Sequence, residues 1–458
     1  MPKINWKEVL VTLKDLTKAS IKKYTLWILH LSPHQNLLQG VLLYTILGWM
    51  ALSLPFMNTQ DVAWIDNLFT AASAATTTGL TSISTPDSYS WLGQLVILIL
   101  IQAGGLGYMT MSSFVFLSFS RRLRPHQKEV LSAEFSLPSE LNLHDFLRAA
   151  IIFTVVVESL GAVFLFNYFM HHDYGIFRAA WYSIFHSISA FCTAGFSLWN
   201  NNLTNFYDSK TINIIISLLS LLGAIGFIVV TDVFNWITRR AKGLSYTSKI
   251  ILITITSVIT FGTVMLYITN PVMSLWEAFF QATSAMTTAG FNTVEIGAMS
   301  TCSLLVMIIL MSIGGAPSGT GGGIKSTAFV SIMAIWYNRL LGRKHISFLD
   351  RRIPIQKLYL ATSTFIFYTI LLLASVFWLT YCEQDKPFLS LFFEAASALA
   401  TAGLSMEFTS QLSTWGKIII IITMIIGRVG VITFGMALLR DDDDEPDPEP
   451  TEKADLAI

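Results

Sequence analysis

The sequence predicts an all-α integral membrane protein made of four similar repeats, each with two membrane spans and a short re-entrant half-helix between them. Two observations lead to this fold class. Hydrophobic residues make up 53% of the 458-residue chain and charged residues only 13%, whereas soluble domains carry about 25% charged residues. One string of residues also recurs four times, which is typical of a supersecondary unit used repeatedly.

The repeated string reads Phe, three residues, Ser-Ala, two residues, Thr, one residue, Gly and then Leu or Phe. Its copies, FTAASAATTTGL, FHSISAFCTAGF, FQATSAMTTAGF and FEAASALATAGL, span Phe69–Leu80, Phe185–Phe196, Phe280–Phe291 and Phe393–Leu404. A single Thr-x-Gly could be a tight turn. Four copies with matched Phe and Ser-Ala positions favour four equivalent backbone segments around one axis.

The basic residues predict how the chain is oriented. Of the 29 Lys and Arg, 21 fall in four clusters, at 3–23, 121–148, 239–249 and 339–357. By the positive-inside rule these clusters lie in the cytoplasm. Few basic residues flank the repeated strings, so the strings face outward. Both termini are then cytoplasmic, and the chain is a multi-pass protein of the cell (inner) membrane.

Each repeat is expected to contain a first span, a half-helix of ten to fifteen residues that is too short to cross, and a second span. The first spans cover about 37–57, 147–170, 250–269 and 358–381, and the second about 91–118, 211–237, 299–336 and 414–439. The resulting units are a basic N-terminal arm (1–36), pore repeats 37–120, 147–240, 249–338 and 357–439, and a disordered acidic tail (440–458). The arm is either an interfacial helix or a tether, and the tail is either solvated or a docking site for a basic partner. About eight spans and four half-helices then surround one central pore.

The Thr-x-Gly segments are the candidate ion-binding residues. A half-helix that enters from outside ends near the bilayer midplane, where its C-terminal partial charge favours a cation. Four extended backbone segments can replace the hydration shell of an ion with carbonyl oxygens, and glycine permits the backbone angles that this requires. With no carboxylate in the segments, a monovalent cation fits better than a divalent one. The predicted filter residues are Thr77, Thr78, Gly79, Thr193, Ala194, Gly195, Thr288, Ala289, Gly290, Thr401, Ala402 and Gly403.

The second span of the third repeat differs from the others, because a glycine-rich stretch interrupts it. A lipid-facing helix cannot continue through these residues without losing hydrogen bonds, so we expect an unwound loop in the ion path; the alternative is a kink at a helix–helix contact. The predicted gate residues are Gly314, Gly315, Ala316, Pro317, Ser318, Gly319, Thr320, Gly321, Gly322, Gly323 and Lys325, together with Arg428.

Two charges, Lys325 and Arg428, fall within apolar spans, where a charge is costly and normally functional or paired. Arg428 either forms an electrostatic barrier that contacts the carbonyl groups of the loop, or a structural salt bridge with Glu158 or Glu394. Glu394 and Glu277 are expected to hydrogen-bond filter backbone, and His186 to pack against or support the filter.

With these motifs in place, residues 37–439 resemble the pore subunit of the Ktr/Trk/HKT superfamily of potassium transporters, most closely the bacterial KtrB type. The resemblance rests on the four strings and on IQAGGLG (Ile101–Gly107), IGGAPSGTGGGIK (Ile313–Lys325) and IIGRVG (Ile425–Gly430). It implies one pore per protomer, a homodimer, and a cytosolic ring of Rossmann-type regulatory subunits (KtrA/TrkA-like) that alone bind a nucleotide. The four retained filter glycines imply a preference for K⁺, while Cys192 and Thr193 stand where bacterial relatives often carry two asparagines.

The expected function is gated K⁺ uptake driven by the membrane potential, with K⁺ as transported ion and membrane lipid but no nucleic acid as a partner. The alternative is a Na⁺- or H⁺-coupled K⁺ symporter or a Na⁺-permeable variant. An enzyme is disfavoured, since the chain lacks an HExxH motif, a Ser/His/Asp set and a cofactor fingerprint. A scaffold would not need four glycines at matched positions.

Overall fold

The computed structural model describes residues 31–107, 143–172 and 174–438. The predicted basic arm up to residue 30, the end of the first repeat with its basic cluster, and the acidic tail lie outside these residues. In chain order the helices are α1 (Pro33–Leu52), α2 (Trp64–Ala75), α3 (Thr85–Ser88), α4 (Trp91–Leu106), α5 (Leu143–Met170), α6 (Ile176–Phe191), α7 (Lys210–Ile225), α8 (Phe227–Ile237), α9 (Tyr246–Thr269), α10 (Leu275–Met286), α11 (Thr301–Ser312), α12 (Ser326–Leu340), α13 (Ile355–Cys382), α14 (Phe388–Ala400), α15 (Thr414–Val429) and α16 (Val431–Leu438).

Irregular elements join the helices. Single 3₁₀ turns lie at Pro55–Met57, Thr204–Phe206, Ile296–Ala298 and Thr409–Gln411. A two-stranded antiparallel hairpin, β1 (Ser347–Phe348) and β2 (Arg351–Arg352), connects α12 to α13. The described structure is therefore predominantly helical, as the sequence predicts.

Several helices are long and apolar enough to cross a membrane. Within the described residues these are α5 (apolar part Leu147–Met170), α9 and α13, and the bent pairs α7–α8 and α15–α16 raise the number from 3 to 5 if each pair is one span. These elements match five of the eight predicted spans. The other three correspond to α1, to α4, and to α11 and α12 on either side of a loop.

The prediction that only the third repeat has a broken second span is wrong. α7 and α8 meet at Gly226 with a bend of 95°, and α15 and α16 meet at Gly430 with a bend of 100°. In the first repeat α4 ends at Gly107. These three glycines have φ of 86°, 92° and 86°, respectively, values that a residue with a Cβ rarely adopts. In the first, second and fourth repeats, the helix that follows the filter segment therefore stops at a glycine.

A Gly-x-x-Gly pattern accounts for the two bends and for the end of α4. The second glycine of each pair is the residue at which the helix stops, and the first lies against the last turn of the half-helix in its own repeat. A Cβ on Gly104, Gly223 or Gly427 would lie less than 3.0 Å from a backbone carbonyl oxygen, respectively that of Ala75, Phe191 and Leu399. These three carbonyls occupy the same position of the repeated string, so the close approach is the same in each repeat.

The repeats pack in a closed cyclic order. In each repeat, the helix that begins the second span contacts the half-helix of the following repeat, and the last repeat contacts the first. The pairs are α4 with α6, α7 with α10, α11 with α14 and α15 with α2. The contact between the fourth and first repeats includes apolar packing. Phe69 of α2 shares one buried cluster with Leu391 of α14 and Ile420 of α15. The four half-helices are thereby brought together at the centre.

We expect Gly226→Ala to destabilise the protein. Its φ of 86° is unfavourable for alanine, and the new Cβ would lie 2.7 Å from the carbonyl oxygen of Pro317. Together these effects should cost about 1–3 kcal/mol, which thermal unfolding in detergent would measure. Gly175→Ala is the matched control, because Gly175 has φ −59° and no atom within 4 Å of its Cβ position. Equal unfolding temperatures for the two variants would contradict this account of the bend.

Candidate ion pathway

The half-helices α2, α6, α10 and α14 all end in the same hydrogen-bonded turn. Two backbone hydrogen bonds form this turn in every copy of the repeated string. The N–H of the threonine donates at 3.1 Å to the carbonyl of the alanine three residues earlier. The N–H of the residue after the threonine donates at 2.8 Å to the carbonyl of the serine five residues earlier. This pair of bonds is the Schellman motif, which closes a helix and reverses the chain. The first bonds are Thr77 to Ala74, Thr193 to Ala190, Thr288 to Ala285 and Thr401 to Ala398.

The threonines of these turns have a left-handed backbone conformation, which the sequence did not reveal. Thr77, Thr193, Thr288 and Thr401 have φ of 50°, 51°, 55° and 49°, at the position where a Schellman motif usually has glycine. A non-glycine residue in this region is strained by about 1–3 kcal/mol. Keeping threonine at all four turns at this cost indicates that the hydroxyl has a use.

The segments that follow, named here the filter segments (residues 77–79, 193–195, 288–290 and 401–403), lie against one another in a ring. As expected, their glycines have positive φ, from 67° to 91°. A Cβ on each glycine would lie less than 3.0 Å from a carbonyl oxygen of the next segment in the order 1, 2, 3, 4, 1. These contacts are Gly79 to Ala194, Gly195 to Ala289, Gly290 to Ala402 and Gly403 to Thr78. Carbonyl groups from four parts of the chain thus meet without an intervening side chain.

The serines of the repeated string hydrogen-bond to the glycine end of three filter segments, at the glycine itself or at the residue after it. Ser189 Oγ donates to the carbonyl of Phe196 at 2.8 Å, and Ser284 Oγ donates to that of Phe291 at 2.6 Å. Ser73 Oγ instead accepts the N–H of Gly79 at 3.0 Å. Ser397 Oγ is buried without a partner in the described part of the chain. The four supports are therefore not identical.

The glycine-rich loop (residues 313–325) lies against the threonine end of the filter segments. It separates α11 from α12 completely, so it is a loop and not a kink. Thr320 Oγ1 is 3.3 Å from Thr193 Oγ1, and Gly322 N–H donates to Thr288 Oγ1 at 2.8 Å. All predicted gate residues except Arg428 lie in this loop.

Backbone bonds tie the loop to the bend of the second repeat. The N–H groups of Ala316 and Thr320 donate to the carbonyls of Ala224 and Gly223 at 2.8 and 3.1 Å. Lys325 Nζ donates within the loop, to the carbonyl of Gly321 at 2.7 Å. The non-helical backbone thus finds its partners inside the protein, which is the condition for its existence at membrane depth.

The guanidinium of Arg428 joins three repeats. Nη1 donates to the carbonyl of Thr320 in the loop at 2.7 Å, and Nη2 donates to the carbonyl of Gly105 at 3.3 Å and to that of Gly104. The sequence left two alternatives for Arg428, and the contact with the Thr320 carbonyl is the loop contact that the first of them predicted. The carboxylate of Glu394, proposed in the other reading, accepts bonds from the hydroxyls of Ser405 and Thr409 at 2.5 and 2.7 Å.

The expectation that Glu277 bonds filter backbone is wrong. Glu277 lies in the first turn of α10, where its carboxylate accepts the N–H of Ser274 at 2.8 Å in a capping box. His186 does support the segment after the second filter: its Nε2 accepts the N–H of Leu198 at 3.2 Å, and its ring stacks on Trp199 with the centroids 4.1 Å apart.

Sequence reasoning missed two features of this site. The Gly-x-x-Gly pairs were visible inside IQAGGLG and IIGRVG, but their role in bending the helices was not inferred. The ion pair between Lys417 and Asp66, 2.6 Å apart, left no signal, because its partners are separated by most of the chain.

The comparisons with known proteins agree with this structure. Residues 39–441 match the TrkH family, described as cation transport protein. The chain is 34% identical to Ktr system potassium uptake protein B of Bacillus subtilis (strain 168), covering 88% of this chain and 92% of the relative. It is also 34% identical to the protein of the same name from Vibrio alginolyticus, covering 87% and 88%. The crystal structure of the potassium transporter TrkH from Vibrio parahaemolyticus shares the fold, with a TM-score of 0.67 and 21% identity over 87% of this chain and 83% of that one.

The apolar helices and these matches define a multi-pass membrane transport protein. The chain belongs to the TrkH family of cation transport proteins, which is a transporter family and not an enzyme family.

The serine contacts lead to a stability prediction. Ser189→Ala leaves the buried carbonyl of Phe196 without its donor, and should cost about 1–3 kcal/mol. Ser397→Ala removes a hydroxyl that is equally buried but has no partner among the described residues, so it should unfold like the wild type. Thermal unfolding of the two purified variants makes the comparison; similar losses in both would show that the Ser189 bond does not hold the filter segment.

Proposed function

We propose that this protein takes up K⁺ across the cell membrane through one central pore formed by its four repeats. The observation that carries the proposal is the closed ring of filter segments, in which each glycine faces a carbonyl oxygen of the next segment. The relatives in Bacillus subtilis and Vibrio alginolyticus are named potassium uptake proteins, which supports K⁺ as the transported ion.

The proposed filter works by dipoles. A K⁺ ion entering from outside loses its water and is coordinated by carbonyl groups of the filter segments. The four half-helices point their C-terminal ends toward the same region and add partial negative charge. The hydroxyls of Thr77 and Thr401, buried without a partner in the described part of the chain, are available as further ligands at the inner end.

The membrane potential supplies the driving force. It contributes about 2.3 kcal/mol per charge for each 100 mV, which corresponds to about fifty-fold accumulation of a monovalent cation. Uptake would then require a potential but no sodium or proton gradient, which distinguishes this mechanism from a coupled symporter.

The glycine-rich loop is proposed to be the gate. It lies between the filter and the cytoplasmic side and engages the hydroxyls of Thr193 and Thr288, which an ion at the inner end of the filter would otherwise use. Arg428 holds the loop at Thr320 and places a positive charge beside the path. Both effects oppose a cation until the loop moves.

Regulation and assembly extend the proposal. The relatives are named as protein B of a Ktr system, which supports a partner component for this chain. We place a nucleotide-binding, Rossmann-type ring on its cytoplasmic face and a second copy of the chain beside it as a homodimer. The termini are then cytoplasmic, and the bilayer is the cell (inner) membrane.

Replacing a filter glycine should abolish selective uptake. The Cβ of Gly290→Ser would lie 2.7 Å from the carbonyl oxygen of Ala402 and 3.1 Å from Cα of Gly195, so two neighbouring segments must move. We expect the wild type, but not this variant, to restore growth of a K⁺-uptake-deficient bacterium at low external K⁺. Gly243→Ser, whose Cβ position has no atom within 4 Å, is the control and should grow like the wild type. Equal growth with Gly290→Ser would refute the filter.

Removing the guanidinium should open the gate. Arg428→Ala frees the loop carbonyl of Thr320 and removes the positive charge, so uptake should rise by about tenfold or more, equivalent to about 1.4 kcal/mol, and no longer need the partner subunit. Flux into liposomes that contain the purified chain alone measures this. Arg351→Ala removes an exposed arginine that stacks on Tyr246 and should leave the flux unchanged. Loss of membrane protein with no gain in flux per molecule would favour a purely structural Arg428.

A further inference from the structure

The ring of filter segments has one junction that differs from the rest. The chain itself connects repeats 1 to 2, 2 to 3 and 3 to 4, but no covalent connection joins repeat 4 to repeat 1. At this junction Gly403 lies against the carbonyl of Thr78 as closely as glycines do elsewhere in the ring. Non-covalent contacts alone must therefore hold the first and fourth filter segments in register.

An ion pair crosses this junction. Lys417, in the first turn of α15, is 2.6 Å from Oδ1 of Asp66 in the first turn of α2, and both side chains are only 12% exposed. The same carboxylate oxygen accepts the hydroxyl of Ser82 at 2.6 Å. Ser82 follows Gly79 by three residues. The Ser82 side chain therefore links the ion pair to the outer end of the first filter segment.

The equivalent position in the other repeats has no charge. The residues four places after the serine at the N-cap of each second helix are Gln94, Asn213, Leu304 and Lys417. Gln94 makes the corresponding contact between repeats 1 and 2, where its Oε1 accepts the indole N–H of Trp181 in α6 at 2.8 Å. A neutral hydrogen bond thus crosses a junction that the chain also connects, and a partly buried ion pair crosses the junction that it does not.

The helix α15 is attached to repeat 1 at both ends. Lys417 binds the start of α2, and Arg428, about 16 Å further along the helix, binds the carbonyls of Gly104 and Gly105 at the end of α4. α15 therefore spans the junction from the outer end of the filter to the loop.

We propose that Lys417 and Asp66 are positioning residues that close the filter ring and thereby set its discrimination between K⁺ and Na⁺; this inference rests on the proposed function. If either partner is neutralised, the other remains as a partly buried charge without its counterion. Asp66 or Lys417 would then turn toward water, and Ser82 would no longer be held. Because carbonyl positions decide which dehydrated ion is matched, the effect would appear in selectivity.

The test measures K⁺ uptake and its competition by Na⁺ in liposomes containing the full chain. Lys417→Met and Asp66→Asn should each weaken K⁺ discrimination over Na⁺ about tenfold, equivalent to about 1.4 kcal/mol, while the maximal K⁺ flux stays within a factor of about three. The double variant Lys417→Asp with Asp66→Lys should recover at least half of the lost discrimination. If the neutral variants cannot be purified, Lys417→Arg and Asp66→Glu keep both charges but change the reach, and should give a smaller loss of the same kind.

Two controls separate this role from general electrostatics and general packing. Lys386→Met removes another positive charge of repeat 4, where Lys386 contacts Gln411 and the ring of Phe408 in the same repeat. Trp181→Phe removes the matching hydrogen bond at the junction of repeats 1 and 2. Both should keep wild-type selectivity. Unchanged selectivity in well-folded Lys417 and Asp66 variants would overturn the inference, whereas a wild type without K⁺ uptake would refute the proposed function itself.

Discussion

The centre of this protein depends on backbone approaching backbone without a side chain between them. Each filter glycine lies against a carbonyl of the next segment, and the first glycine of each Gly-x-x-Gly pair lets its helix touch the end of a half-helix. At Gly226 and Gly430 the chain then bends away. A Cβ at any of these positions would separate segments that must be adjacent. In a membrane protein this approach has a second benefit, because peptide groups that leave a helix find partners within the protein instead of facing lipid.

The ring is similar in all four repeats, but what surrounds it is not. The glycine-rich loop takes the place of a Gly-x-x-Gly bend in the third repeat and binds the threonines of the second and third filter segments. The hydroxyls of Thr77 and Thr401, in the first and fourth segments, have no partner within the described residues. Under the proposed function, a symmetric ion site would in this way be controlled from one side, since a loop that competes for two of four ligands changes the site without dismantling it.

Two of the charged contacts in this fold lie at joins between repeats. Arg428 binds carbonyls of the first and third repeats from the fourth, and the Lys417–Asp66 pair joins the fourth to the first. A buried ion pair contributes little net stability compared with apolar packing, but leaving one partner alone is costly. Such pairs are therefore suited to fixing the geometry of a junction.

The sequence alone determined the helical membrane fold, the four half-helices and the positions of the filter glycines, because these features depend on local composition and on a pattern repeated at fixed spacing. It also placed the glycine-rich loop, since no lipid-facing helix tolerates that composition. Only the tertiary structure decided the left-handed threonines, the bends at Gly226 and Gly430, and the partners of Arg428, Glu277 and Lys417. These depend on which segments meet in space: Lys417 and Asp66 lie 351 residues apart in the chain, and no local pattern carries information about a contact of that kind.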